Sequence, residues 1–339
     1  MITRYARQEL FDGIGPEGQA RIRRSRVVVV GCGALGTHAA NSLARAGVGT
    51  IVLIDRDLVD LTNLQRQVLF DEDDARAGLP KAVAAADKLS SANSECRIEP
   101  IVVDFAPWNA ERFIASADLV IDGTDNFETR YLLNDACVKL GKPWVYAGVI
   151  ASYGMTFPFL PGRGPCFRCA FPEPPPAGMA PTCDTVGIIE PVVSVIAGVQ
   201  CAEALKILSG GMDRVRTTLL HVDLWTSKLL EVKLGARDPA CPACGQGKYD
   251  FLEARRGVRA TTLCGGHAVQ ISSREEQRVD LAALARSWQH IGPVVERPYM
   301  VRLTVEEHEL TVFEDGRAIV KGTGDEARAR TLHARYVGI

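Results

Sequence analysis

The chain has 339 residues, 47% hydrophobic and 24% charged, with 39 Lys and Arg against 41 Asp and Glu for a formal net charge of −2. That balance, with a pI near 6.3 and a mean hydropathy of +0.03, argues against general affinity for nucleic acid or membrane surfaces and describes a soluble protein too long for one core. The start, MITRYARQEL, lacks the apolar core of a signal peptide and no apolar run is expected to reach transmembrane length; a cytoplasmic protein is expected, with its ten cysteines as ligands, nucleophiles or core residues rather than disulfides.

Residues 1–25 read as an arginine-rich helical arm (Arg4, Arg7, Arg21, Arg23, Arg24), either a solvated helix face or a source of guanidinium groups for phosphates. Val27–Val30 read as a buried strand. Gly31-Cys32-Gly33-Ala34-Leu35-Gly36 follows, then an apolar-periodic helix to about Ala46 and a second buried strand, Thr50–Ile54, that delivers Asp55. In this βαβ unit the glycines let backbone approach phosphates, and free helix N–H groups and the helix dipole favour the anion. Asp55, nineteen residues past Gly36, stands where a carboxylate hydrogen-bonds a ribose hydroxyl. Alone, this stretch leaves the nucleotide open: NAD and an oxidoreductase are the default, and a close-packed turn without ligand is the bland alternative.

Asp57, Asn63 and Arg66 cluster just beyond the second strand, and open α/β sheets bind ligands at those strand ends. Pro80-Lys81 opens an alanine-rich helix to about Leu89, with Pro80 suited to the first turn. A lysine at the positive end of a helix is unfavourable unless it reaches an anion. Strand Arg97–Val103, helix Asn109–Ser116, strand Leu119–Ile121, helix Glu128–Leu140 and strand Pro143–Ala147 continue the alternation. The class expected is α/β, a doubly wound, mostly parallel Rossmann-like sheet, with Asp125 over the same crevice as the glycines.

Short extended segments from Tyr153 to Phe159 precede Cys166-Phe167-Arg168-Cys169. The Pro-rich stretch Phe171–Pro181 reads as a mobile loop with Cys183 at its far end. Ile189–Leu208 is a long apolar helix, and strands over Thr217–Leu224 and Lys228–Leu234 lead to Cys241-Pro242-Ala243-Cys244. Two Cys-x-x-Cys pairs suit tetrahedral zinc with no open position, hence a structural site; the alternatives are unrelated redox pairs or packed cysteines. Cys96, Cys137 and Cys201 are expected in the core, and Cys32 as a small filler. Residues 1–250 form the expected nucleotide-binding domain with its knuckles. From Glu253 to residue 339 a small α+β domain is expected, with a βαβββα-like pattern: strands Val269–Ile271 and Met300–Val305, a helix Asp280–Trp288 between them, a hairpin turning at Glu314-Asp315-Gly316, and a last helix, Asp325–Tyr336.

Taken in order, Arg4-Tyr5-x-Arg7-Gln8, GCGALG, Asp55-x-Asp57, Asn63-Leu64-Gln65-Arg66-Gln67, Pro80-Lys81, Thr124-Asp125-Asn126-Phe127 and the paired Cys-x-x-Cys motifs resemble the MoeB/ThiF/HesA family, relatives of the ubiquitin-activating enzymes, over residues 1–248. The resemblance implies an enzyme, an adenylyltransferase that uses ATP and Mg²⁺ to activate the C-terminal glycine of a small ubiquitin-like sulfur-carrier protein with a Gly-Gly tail, and a homodimer. It implies that Gly31, Gly33 and Gly36 bound the phosphate loop and Asp55 holds the ribose. Asp57, Asn63, Arg66 and Lys81 would line the triphosphate, with Asn126 beside the nucleotide and Asp125 holding Mg²⁺. Arg7 would reach into the partner subunit's site. Cys183 matches a loop cysteine of sulfur or acyl transfer, with a bland loop cysteine as the alternative, and the sulfur would come from a donor such as a persulfide protein. Cys166, Cys169, Cys241 and Cys244 would hold Zn²⁺.

Residues after 253, notably TVFEDGRAIVKGT, resemble an extension on some bacterial ThiF-like adenylyltransferases; it either docks the carrier or donor or serves packing, and its only cysteine, Cys264, lacks a rhodanese setting. Rival activities are adenylation of a peptide or other small carboxylate, activation of a carboxylate on tRNA, an inactive half of a heterodimer, and the NAD-dependent oxidoreductase. The near-neutral charge disfavours nucleic acid, and the presence of both Lys81 and Asp125 disfavours the inactive half.

Overall fold

The computed structural model describes residues 4–175, 183–253, 259–262, 267–272 and 278–337. Cys264 and the second half of the Pro-rich stretch, from residue 176, lie outside them. The chain divides into two units, Met1–Glu253 and Ala254–Ile339.

In the first unit the arginine-rich start folds as two short helices, Ala6–Glu9 (α1) and Gly15–Arg24 (α2), rather than one arm. Gly15, the first residue of α2, has φ +62°, a left-handed conformation that glycine adopts at little cost. Arg26–Val30 (β1) and Thr50–Ile54 (β2) pair in parallel, Val28 opposite Val52, across the helix Ala34–Arg45 (α3). Both strands are buried after their first residue, as continuous apolar strands covered by helices on both faces must be. Glu72–Ala77 (α4) and Lys81–Ala92 (α5) lead to Arg97–Ile101 (β3); Ala110–Ala115 (α6) leads to Leu119–Asp122 (β4), and Phe127–Leu140 (α7) to Trp144–Ile150 (β5).

Among the described residues, eight strands form one sheet in the order β3-β2-β1-β4-β5-β6-β7-β8, where β6 is Tyr153–Phe159, β7 Thr218–Asp223 and β8 Lys228–Lys233. β3 to β5 are parallel and β6 to β8 antiparallel. The change of direction has a simple cause: only Ala151 and Ser152 separate β5 from β6, too few for the crossover that a parallel return requires. The chain moves outward on one side of β1 and then restarts on its other side with β4, so the carboxyl ends of β1, β2 and β4 flank a switch-point crevice.

Phe167–Ala170 (α8), Cys183–Val186 (α9), Glu190–Ser209 (α10) and Asp250–Glu253 (α11) complete the unit. Contrary to the expectation that no apolar run reaches transmembrane length, α10 does, with twenty residues and a mean hydropathy of 1.6. Its burial explains the apolarity. It packs in the cluster of Leu35, Ala147, Val193 and Ile196, and its buried Gln200 donates to the carbonyls of Asp122 and Val145 (both 2.8 Å), strapping the helix to β4 and β5.

In the second unit the described strands form an antiparallel sheet, β11-β12-β13-β14-β10-β9 (Arg259–Thr262, Ala268–Ser272, Val294–Arg297, Met300–Val305, His308–Phe313 and Ala318–Lys321, numbered β9 to β14 in chain order). Leu281–Trp288 (α12) and Glu326–Tyr336 (α13) pack on one face through Trp288, Leu303, Val312, Leu310 and Leu332. β9 and β11 are additions to the expected pattern. They are the two edge strands, where local alternation is weakest.

Candidate active site and metal centre

The glycine turn is a close-packed piece of backbone with one open position. Gly31 has φ +91°, and a Cβ there would stand 2.6 Å from the Gly123 carbonyl oxygen. A Cβ on Gly36 would lie 1.8 Å from the Gly31 oxygen. Packing therefore demands glycine at both. Gly33 is different: the nearest atom to its Cβ would be 3.8 Å away, so nothing in the protein requires a glycine there. Gly33 is also the N-cap residue of α3 and supplies no side-chain cap, leaving the first-turn N–H groups and the positive helix end free for an anion.

Asp55 braces this turn. Its Oδ2 accepts from Cys32 N–H (2.6 Å) and its Oδ1 from Asp57 N–H (2.7 Å). Burial pushes its carboxyl above the ordinary range, against the pull of Lys81 and the two N–H donors. Cys32, expected as filler, is buried and contributes its backbone donor.

Lys81 finds its anion inside the protein: its Nζ lies 3.3 Å from Asp57 Oδ2. Backbone pairing sets the approach. Val59 N–H donates to Leu79 O (2.8 Å), Lys81 N–H donates to Asp57 O (2.9 Å), and Leu58 bridges Pro80. Pro80 sits one place earlier than expected, as the extended N-cap residue rather than inside the first turn. Burial pushes the Lys81 ammonium down, and the carboxylates of Asp57, Asp55 and Asp125 outweigh that and hold it above its ordinary value. Arg56, which belongs to no sequence motif, lies 3.1 Å from Asp104 Oδ1 and 3.8 Å from Asp57 Oδ1. Burial lowers its proton affinity, but Asp104, Asp57, Asp125 and Asp55 together raise it further.

Asp125 is exposed at the carboxyl end of β4, and its charge acts on both Lys81 and Arg56. The loop that carries it is held from below. Asp122 Oδ1 accepts from Thr124 N–H and Oγ1–H (2.9 and 2.7 Å), and buried Arg130 donates to Asp122 Oδ2 (3.1 Å) and Thr124 O (2.7 Å). Arg130 also lies over the Phe127 and Tyr146 rings. Its only sequence signal was its position eight residues after a strand-end aspartate.

The remaining named residues are placed differently. Asn63 Oδ1 accepts from Asp60 N–H (3.1 Å) in a capping box, and Asn126 Oδ1 accepts from Thr129 N–H (2.9 Å) as the cap of α7. Arg66 is half-buried and donates to Thr62 O (2.8 Å). Arg7 is exposed on α1, and among the described residues no hydrogen bond or ion pair joins it to the crevice. Cys183 Sγ lies 3.8 Å from Val149 O at the carboxyl end of β5. The segment after it is pinned there by Ala151 N–H to Gly187 O and Ile189 N–H to Ala151 O (both 2.9 Å).

The four knuckle cysteines meet. Their Sγ atoms all lie within 4.8 Å of one another, with Cys166–Cys241 at 3.6 Å, Cys166–Cys169 at 3.8 Å and Cys169–Cys244 at 3.4 Å. A tetrahedron of thiolates about 2.3 Å from a zinc ion has edges of about 3.8 Å, so the set fits zinc. One helix ties the surroundings together. Asn134 of α7 accepts from Phe167 N–H (2.8 Å), Asp135 accepts from Phe251 N–H (3.0 Å), and Arg168 pairs with Asp250 (2.9 Å). Burial outweighs these donors and pushes the Asp135 carboxyl up to about 6. A cavity of about 260 Å³ beside Cys166, Cys244, Arg237 and Trp144 lies at the amino end of β5, whereas the crevice lies at the carboxyl ends of the strands.

With this geometry in hand, likeness to known proteins becomes informative. Residues 5–243 match the profile of the ThiF family. The chain is 41% identical over 340 positions to the sulfur carrier protein ThiS adenylyltransferase of Bacillus subtilis, covering the whole of both chains. It is 40% identical to the sulfur carrier protein adenylyltransferase of Thermus thermophilus, over 78% of this chain and 97% of that one. Among solved structures, E. coli MccB matches with a TM-score of 0.63 at 26% identity, covering 72% of each chain.

Proposed function

The chain belongs to the ThiF family, and from that premise we propose that it is an adenylyltransferase that uses ATP to activate the C-terminal carboxylate of a ubiquitin-like sulfur-carrier protein. The observation that carries the reading is the convergence of Lys81, Asp57 and Asp125 beside an uncapped glycine turn at one switch-point crevice. A dinucleotide fold needs the turn but not that lysine and those carboxylates.

In the reaction a carboxylate oxygen of the carrier bonds to the α-phosphorus, and the bond from that phosphorus to the bridging oxygen breaks. The products are the acyl-adenylate and pyrophosphate. Both reactants are anions, so the chain's task is charge neutralisation and in-line positioning. Gly31, Gly33 and Gly36 present backbone to the phosphates, and the N–H groups of α3 receive them. Lys81 exchanges its Asp57 partner for phosphate oxygen, with Asn63 and Arg66 nearby, and Arg7 of a second copy in a homodimer closes the site. Asp55 keeps lone pairs for a ribose hydroxyl beyond those given to Cys32 and Asp57, and Asn126 shapes the loop by capping α7. Mg²⁺ binds proteins through one or two carboxylates plus substrate phosphates, a role that exposed Asp125 fits; bound there it supplies positive charge to the triphosphate. Zn²⁺ in the four-cysteine set is structural.

Cys183, at the carboxyl end of β5, is the nucleophile for a later step. Its thiolate attacks the acyl carbon, a thioester forms and AMP leaves, before sulfur arrives from a donor protein. The test is ATP–pyrophosphate exchange with folded, zinc-loaded protein and candidate carriers ending in Gly-Gly, with free peptides as the control. Exchange dependent on a carrier is expected. No exchange with any carrier, or exchange with free peptide alone, would overturn the reading.

A further inference from the structure

The Arg56 guanidinium occupies the middle of a charge chain that no catalytic motif names. Nη1 lies 3.1 Å from Asp104 Oδ1, Nε lies 3.8 Å from Asp57 Oδ1, and the other oxygen of Asp57 faces Lys81 Nζ at 3.3 Å. The far end of the chain is anchored. Buried Asn109 donates to the Asp104 carbonyl (2.8 Å) and accepts from Ala106 N–H (2.9 Å), which folds the loop after β3 into one shape. The near end is anchored by the backbone pairing of residues 57–59 with 79–81. Arg56 therefore links two rigid loops, at the ends of β2 and β3, through the carboxylate that holds the lysine.

We propose that Arg56 is a positioning residue for ATP: it fixes the rotamer of Asp57 so that Lys81 is presented to the triphosphate, and it screens the crevice carboxylates from the incoming anion. The proposal rests on the adenylation reading. Lys81 and Arg56 both set positive charge among Asp55, Asp57 and Asp125, and Arg56 also meets Asp104. Losing Arg56 removes one of the contacts that hold the Asp57 carboxylate and leaves Lys81 in a more acidic cluster, where a polyanion must compete for it. The planar fork of arginine reaches two carboxylates at once, which a lysine ammonium does less well.

Steady-state ATP–pyrophosphate exchange and calorimetric binding of a non-hydrolysable ATP analogue with Mg²⁺ test it on the full chain. Arg56→Gln is expected to raise the KM for ATP and the analogue Kd about tenfold or more while kcat falls less than about threefold. Arg56→Lys should recover part of the loss. Asp104→Asn should move the same constants in the same direction, and the double variant should be no worse than Arg56→Gln alone, because both act through one chain. A role confined to stability predicts instead a lowered thermal midpoint with unchanged KM in the folded fraction. That result, wild-type constants in Arg56→Gln, or additive losses in the double variant would each overturn the proposal. If the wild type binds the analogue but activates no carrier, the adenylation reading alone fails, and the Kd series still decides the role of Arg56.

Discussion

The crevice and the cysteine centre are both assembled from distant segments, yet they are held in opposite ways. In the crevice, cations and carboxylates already face one another: Lys81 with Asp57, Arg56 with Asp104, Arg130 with Asp122. At the rim the carboxylates of Asp57 and Asp104 are partly open to water, so a ligand can exchange for them without stripping a fully buried pair. At the cysteine centre, the two more buried thiols, Cys166 and Cys241, have mainly other thiols beside them. Four thiolates repel without a cation, and four thiols make only weak contacts. Ligand binding at the crevice is therefore an exchange of partners, whereas metal binding at the centre is part of folding.

Metal removal should separate the two regions most sharply. Stripping the protein with a chelator, or Cys241→Ser, is expected to lower the thermal midpoint by roughly 10 °C or more, read by calorimetry. Lys81→Ala should lower that midpoint by much less than metal loss does. An unmoved midpoint after complete metal loss would erase the distinction.

The second largest effect is expected in activity without stability. Asp125→Ala should reduce ATP–pyrophosphate exchange by about 10³-fold, on the scale of losing one charge-stabilising group from a phosphoryl site, with the midpoint unchanged. Exchange within a few-fold of wild type would remove Asp125 from the reaction.

A smaller, pH-dependent effect should appear beside the cysteine centre. The folded state holds the Asp135 carboxyl at about 6, above the unfolded value near 3.9. Between those limits the folded state binds more protons than the unfolded state, so this residue contributes added stability as pH falls from about 6 toward 4. Denaturant unfolding at pH 7 and 4.5 should show that contribution in the wild type and its loss in Asp135→Asn. Equal pH responses in the two proteins would sink the assignment. Least of all should change in the first half-reaction of Cys183→Ala, whose exchange is expected within about twofold of wild type while the later transfer stops. A block already at adenylation would mean that the division of labour is wrong.

Much of this arrangement can be read from local pattern. Val27–Val30 and Thr50–Ile54 are continuous apolar runs that must be buried on both faces, and the glycines between them announce close backbone approach. The oddity of Lys81 at a helix start signals that an anion lies within reach, but not which one; in the fold it is Asp57, brought there by pairing between residues 57–59 and 79–81. Asn63 and Asn126 read as companions of a nucleotide, and an asparagine that caps a helix has the same signature; both side-chain oxygens cap. No sequence motif singles out Arg56, because adjacency in Asp55-Arg56-Asp57 says nothing of where each side chain turns. Hydropathy likewise cannot tell a membrane-spanning helix from α10, whose Gln200 reveals its place only through the strand carbonyls it meets.

Periodicity, glycine spacing and cysteine spacing act over a few residues, so they settle strands, helices, the phosphate-type turn and the pairing logic of the knuckles wherever they occur in the chain. Which carboxylate meets which cation depends on the order of strands in the sheet and on backbone bridges between residues tens of positions apart. Those contacts are set by the packing of whole elements, and packing brings Asp104, Arg56, Asp57 and Lys81 into one line that no short stretch of the chain contains.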